Sequence, residues 1–190
     1  MVTSYSNTMS NITVGIDYSM TSPAICVIRE NHLHFYYWTT KRKFECKVEQ
    51  DGYTIEGILF DYKDSPDEER FDYLAREIFE KSIRRTQQPP KIALEDYSYA
   101  STGRAFQIGE NGGVLKNRFW KNGFKVQKIA PTQIKKFATG KGNADKEMMQ
   151  ESFIKDTGIN LKQILGQTDK QWNPSSDMID AYYIARDDHT

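Results

Sequence analysis

Four acidic side chains stand where folding alone explains them poorly: Asp17, Glu95, Asp177 and Asp180. Asp17 closes Ile12-Thr13-Val14-Gly15-Ile16-Asp17, whose strict alternation is the signature of a strand. Glu95 closes a second short run of the same kind, Lys91-Ile92-Ala93-Leu94-Glu95. Acids are poor strand residues, and a buried carboxylate is costly unless something pairs with it. Asp17 shares its strand face with Thr13 and Gly15, and Glu95 shares its own with Ala93, so both faces are shallow enough for a helix to come close. Ser176-Asp177-Met178-Ile179-Asp180 supplies a candidate helix, with two acids three residues apart on one side. Such like charges repel, and a helix N-terminus offsets only part of that repulsion. A bound dication would offset the rest. An all-oxygen donor set suits magnesium or manganese rather than zinc. Two such ions, about 3.5–4 Å apart, activate water and stabilise the leaving oxygen in phosphodiester hydrolysis. Singly, Asp177 reads as an ordinary acid at a helix start and Glu95 as a strand-end ion pair. Together the four acids are harder to dismiss.

The elements that must position these acids follow from pattern. Ala24 to Ile28 and Leu33 to Trp38 read as two more strands after the first, joined by short connections into an antiparallel meander. Residues 39–63 hold strand-like patches, Tyr53 to Phe60 the best, and read as an inserted hairpin or a long excursion. Ser65-Pro66-Asp67-Glu68 marks a helix start, with Ser65 capping and Glu68 completing a capping box. Phe71, Leu74, Ala75, Ile78 and Ile83 give that helix an apolar stripe ending near Arg85. A second helix is expected from about Arg104 to Lys121, then a strand from Phe124 to Ile129 and a short helix opened by Pro131. Ala144 to Asp156 is a further helix, and residues 159–174 read as polar and irregular. The last helix runs from Ser176 towards Arg186. The fold class is therefore α/β, a mixed sheet flanked by helices, in one domain over residues 1–190. If the strand ending at Glu95 lies parallel to the first, both acids finish at one sheet edge, where open α/β sheets bind ligands.

Composition narrows the partners. The 190 residues are 38% hydrophobic, 13% aromatic and 27% charged, a soluble globular balance. No apolar run approaches the roughly 20 residues of a membrane span, and the polar segment 1–10 reads as a flexible lead-in rather than a signal peptide. Cys26 and Cys46 form no disulfide framework, and Cys26 reads as core; an intracellular, soluble protein is expected. Net charge is +0, but its distribution is uneven. Lys116, Arg118, Lys121, Lys125, Lys128, Lys135, Lys136, Lys141 and Lys146 form a block opposed only by Asp145 and Glu147. A cationic block beside an acidic cluster fits a phosphate ligand, while the block alone would read as a solvated face. The loop Thr139 to Asn143 bears glycines but no Walker-type lysine-hydroxyl pair, which excludes a nucleotide cofactor.

At this point the chain resembles a family. Val14-Gly15-Ile16-Asp17, Ala93-Leu94-Glu95-Asp96 and Asp177-Met178-Ile179-Asp180-Ala181 look like the RuvC-type Holliday junction resolvases of the RNase H-like superfamily. Pro131-Thr132-Gln133-Ile134-Lys135-Lys136 and the stretch from Thr139 to Lys146 fit in order between them. The resemblance implies a five-stranded mixed sheet and a homodimer in which each subunit nicks one strand of a four-way DNA junction with two magnesium ions. It makes Asp17, Glu95, Asp177 and Asp180 the metal-binding acids. Lys135 and Lys146 match basic residues beside the DNA backbone, with Lys136 and Lys141 as further DNA contacts, and the helix around 104–121 matches the dimer-forming one. Residues 39–63 are longer than in bacterial relatives, which points to a phage- or virus-like branch and hence the cytoplasm of a bacterial host. The family's junction-contacting aromatic falls on Ser98; Tyr97 and Tyr99 flank it and either stack on unpaired bases or are ordinary tyrosines. Two other readings stay open: a related nuclease acting on RNA–DNA hybrids or replication forks, and a junction-binding protein without catalysis.

Overall fold

The computed structural model describes residues 12–84, 89–96 and 105–186. The lead-in 1–10 lies outside them, as do Tyr97, Ser98 and Tyr99. The first strand, β1 (Thr13–Asp17), is followed by β2 (Ala24–Arg29) and β3 (His32–Thr39). Each pairs antiparallel with the one before, which is the expected meander. Glu30 takes φ 55° in the connection between β2 and β3, a left-handed turn conformation that closes the hairpin tightly.

Residues 39–63 resolve the open choice in favour of a hairpin. A short 3-10 turn (Arg42–Phe44) leads into β4 (Cys46–Gln50) and β5 (Tyr53–Leu59), and β5 lies parallel to β3. These two strands extend the sheet beyond the five expected, to seven in the order β4-β5-β3-β2-β1-β6-β7. The addition follows from β-branched and aromatic residues at Tyr53, Thr54, Ile55 and Ile58, which suit a half-buried sheet position. Gly57 permits it. A Cβ there would meet the Phe44 carbonyl and the Tyr37 hydroxyl, which donates a hydrogen bond to that carbonyl.

Helix α1 (Asp67–Ile83) then returns the chain to β6 (Lys91–Glu95), parallel to β1. Its start departs from the expected capping box. Pro66, whose carbonyl accepts the Arg70 amide, is the N-cap residue; it has no side-chain acceptor, and Ser65 sits one residue too early to cap the helix. Three acids in the first turn, Asp67, Glu68 and Glu69, complement the helix dipole instead. After α2 (Ala105–Lys121) come β7 (Val126–Ile129), parallel to β6, and then α3 (Pro131–Thr139), α4 (Lys146–Thr157), α5 (Leu161–Ile164) and α6 (Ser175–Arg186). The segment 159–174 is thus not wholly irregular. Asn160 caps α5 by accepting the Gln163 amide at 3.1 Å, a local signal that four helical residues are too short to show as periodicity.

The alternation of each strand divides the core between two faces. Val14, Ile16, Ile25, Val27, Trp38, Ile92 and Leu94 pack with Leu74, Ala75 and Ile78 of α1 and with Leu115 and Phe119 of α2. On the other face Ala24, Cys26, Phe35, Tyr37 and Ala93 pack with Phe153 of α4 and with Ile179, Tyr182 and Tyr183 of α6. Helix α6 is buried over nearly its whole length, and it lies against β1 and β2 at a separation that only small residues allow. Gly15 sets that separation. A Cβ at this position would meet the Ala181 carbonyl oxygen and the Ala185 amide nitrogen, with the Ala185 Cα at 2.9 Å. Among the described residues, no helix is long and apolar enough to cross a membrane.

Candidate active site

The parallel register of β1 and β6 pairs Ile16 with Leu94, so Asp17 and Glu95 come level at the carboxyl ends of adjacent strands. Their side chains point to the face that α6 covers, because they share parity with Gly15 and Ala93. Ala181 crosses directly over Gly15. Asp180, the residue before it, and Asp177, one helical turn earlier, therefore overhang the same strand ends. The structure brings all four sequence-predicted acids together.

Their proton affinities report the crowding. Burial pushes the Asp17 carboxyl well above the ordinary carboxylate range, and the charges of Asp177, Glu95 and Asp180 push it further. The Asp17 and Glu95 carboxyls lie close enough that each alters the other's proton affinity. Glu95 is raised by burial, with the Asp17 side chain and the Lys135 ammonium opposing. Burial raises Asp177 to about 6, opposed by hydrogen bonds from Ser22, Asn173 and Ser176 and by Lys146. Asp180 rises to about 7 through burial and the negative charges of Glu95 and Asp177, with Lys135 and Lys146 pulling the other way. Four neighbouring carboxyls that resist ionising together have the chemistry of a group that a cation would stabilise.

The donor chemistry fits a hard divalent ion. All donors are carboxylate oxygens, and their mutual repulsion, which raises Asp17, is what a cation would neutralise. Among the described residues, no three His, Cys, Asp or Glu side chains are already closed into a metal cage. The acids are electrostatic neighbours, brought to one edge but not drawn around a point.

Two of the expected basic residues reach this cluster. Lys135, partly buried on α3, acts on Glu95 and Asp180. Lys146, the first residue of α4, acts on Asp177 and Asp180, and its Nζ lies 3.4 Å from Asn173 Oδ1 and 3.5 Å from Ser176 Oγ. Lys136 and Lys141 are exposed and are not among the main influences on the acids. Elsewhere the basic block is partly neutralised: Arg118 pairs with Asp72 at 2.5 Å and Lys128 with Asp96 at 3.0 Å.

The sequence pattern missed the residues that orient the helical acids. Asn173 Nδ2 donates to both Asp177 oxygens, at 2.8 and 2.7 Å, and lies 3.1 Å from Ser22 Oγ. Ser176 Oγ donates more weakly to Asp177 Oδ1 at 3.4 Å. The available signal was an asparagine four residues before an acid at a helix start, the spacing at which side chains meet.

Comparison with known proteins agrees with the geometry. Residues 52–172 match the family model described as Crossover junction endodeoxyribonuclease RuvC. That span contains Glu95, Lys135 and Lys146, while Asp17, Asp177 and Asp180 lie on either side of it. Proteins of the same description from two Synechococcus strains are similar: that of WH7803 is 24% identical over 103 residues, and that of CC9311 is 26% identical over 91. The aligned regions are 54% and 48% of this chain and 66% and 56% of those relatives, so the chain spans less than two thirds of their length. Among solved structures, Thermus thermophilus RuvC superimposes with a TM-score of 0.55 at 21% identity. The same protein in complex with Holliday junction substrate gives 0.58 at 20% identity; both cover 92% of this chain and 90% of the other. These superpositions show a common fold.

Proposed function

Because the chain belongs to the RuvC family, we propose that it is a divalent-cation-dependent endonuclease that hydrolyses DNA at four-way and other branched junctions. The observation that carries this reading is the meeting of four acids from β1, β6 and α6 at one sheet edge, each with raised proton affinity. In it Asp17, Glu95, Asp177 and Asp180 hold magnesium, two ions per site, with manganese able to substitute. Bound there, the ions supply charge stabilisation for the phosphate and a lowered proton affinity for the attacking water. The chain's own contribution is placement. Asn173 and Ser22 fix the Asp177 carboxylate, Gly15 lets α6 approach, and Lys135 and Lys146 meet backbone phosphates on either side of the acids. Lys136, Lys141, Tyr97 and Tyr99 belong to the outer DNA contacts in this reading.

Paired cutting of a two-fold junction calls for a homodimer. On α2, Phe106 is 90% exposed and Trp120 is 73% exposed, large apolar groups that a partner copy would cover. The protein's place is then the soluble interior of a cell that holds its DNA. The test is cleavage of a synthetic four-way junction in magnesium, run beside a flap, a fork and an RNA–DNA hybrid. Junction cleavage that Asp17→Asn abolishes supports the reading. Preference for the hybrid or the fork transfers the site to another nuclease activity. Tight junction binding without cleavage in either metal leaves only a binding protein.

A further inference from the structure

A cleft of about 410 Å³ opens beside the acid cluster, walled by Ser22, Thr40, Lys41, Lys170, Trp172 and Asn173 among others. Its size falls within the roughly 300–1,000 Å³ of small-ligand sites. Two of these residues also serve the acids: Asn173 binds the Asp177 carboxylate and Ser22 accepts from Asn173. The cleft therefore adjoins the acid cluster through these two side chains. Among its described lining residues are two lysines and no acid, in contrast to the carboxylates next door.

Both walls are fixed. The inserted hairpin supplies one through its 3-10 turn, where the Phe44 ring is buried, the Tyr37 hydroxyl holds the Phe44 carbonyl, and the Lys41 amide donates to Thr39 Oγ1 at 3.1 Å. The other wall is the approach to α6. There Lys162 Nζ lies 3.9 Å from the centre of the Trp172 ring and donates to the Asp169 carbonyl at 2.9 Å, which anchors the indole. A DNA strand with one phosphate at the acids must place its next nucleotide within one backbone repeat. This cleft offers that nucleotide cations for its phosphate and an aromatic wall for its base.

We propose that the cleft is a subsite for the nucleotide flanking the scissile phosphate, with Lys41 and Lys170 binding the backbone and Trp172 contacting the base. The inference rests on the nuclease reading and gives the inserted hairpin a role in gripping the strand to be cut. The test compares wild type with Lys41→Ala/Lys170→Ala and with Lys155→Ala, an exposed lysine in the last turn of α4 that does not line the cleft. Binding of a fluorescent four-way junction is measured in calcium from about 50 to about 200 mM salt, and steady-state cleavage in magnesium. The double variant should flatten the log–log salt slope by about 1–2 and weaken binding roughly tenfold at low salt. Its KM should rise about tenfold while kcat changes less than threefold, and Lys155→Ala should follow wild type. A wild type that cleaves, with the double variant matching it in slope and KM, overturns the subsite alone. A wild type that cleaves no DNA overturns the nuclease reading and the subsite with it.

Discussion

Replacing Asp180 by Asn should stabilise the metal-free protein, and by an amount that depends on pH. In the folded chain Asp180 titrates at about 7 against an ordinary value of 3.8, because burial and the charges of Glu95 and Asp177 disfavour its anion. The folded state therefore holds a proton between those values that the unfolded chain has lost. A raised carboxyl of this kind contributes stability that is fully present below pH 3.8 and is lost as pH rises through about 7. Each pH unit in that window corresponds to about 1.4 kcal/mol, which bounds the loss at roughly 4 kcal/mol; relaxation and sharing among the acids reduce it to about 2–3 kcal/mol. Asparagine keeps the shape and removes the charge. At pH 3, where Asp180 is protonated in the folded and the unfolded chain alike, the substitution should change little; at pH 8.5 it should raise Tm by about 5–10 °C in EDTA. Thermal melts by circular dichroism across that range supply the check. Adding magnesium at pH 8.5 should raise the wild type more than the variant, because the ion neutralises a repulsion the variant lacks. A variant less stable than wild type at pH 8.5 in EDTA, or a Tm difference that does not vary with pH, would refute the electrostatic account.

Three further outcomes follow from the same geometry. Gly15→Ala should cost about 3 kcal/mol or more, since its Cβ lands on the backbone of α6; a urea midpoint within error of wild type would contradict the close approach. Asn173→Ala should leave the fold intact but lower magnesium affinity and junction cleavage about 10–100-fold, because Asp177 loses the donor that reaches both its oxygens. Isothermal titration with magnesium that shows unchanged affinity would rule this out. Phe106→Ser/Trp120→Ser should convert a dimer to a monomer by light scattering, and a wild type that is monomeric at micromolar concentration removes the proposed α2 interface.

The acids were legible in the sequence because each breaks a local rule. A carboxylate at a strand end and two carboxylates on one helix turn are costs that propensity does not explain, and parity alone put Asp17 and Glu95 on shallow faces. The sheet was legible as far as alternation ran clean, through β1, β2, β3 and β6. It was legible in part beyond them: Tyr53 to Phe60 read as strand-like, which is β5, but Lys47 and Glu49 mix charge into β4, and the pairing of β5 with β3 is decided by contacts more than ten residues apart. The capping error at Ser65 has a similar origin. The motif fits the letters, but the register of the first turn is set by which carbonyl accepts the first helical amide. Asn173 went unseen because its partner is one helical turn away and its sequence neighbours look like loop.

The basic block shows why charge along a sequence is a weaker guide than charge in space. Counted along the chain, Lys116 to Lys146 reads as one surface. Folded, Arg118 is tied to Asp72, and Lys128 to Asp96, on the edge next to Glu95. Lys135 and Lys146 instead act on the acids themselves, each lowering what burial has raised. Their positive charge holds together a cluster that would otherwise repel itself, before any ligand arrives. Lys41 and Lys170 come from outside the block, one from the inserted hairpin and one from the turn before α6, yet they share a cleft that opens on Asn173. An anionic strand approaching this edge would meet cations from four separate segments around a centre that needs cations of its own. In the proposed reading that arrangement separates two demands: lysines at the rim would attract the backbone, and the carboxylates at the centre, each disfavoured as an anion by burial, would take the metal.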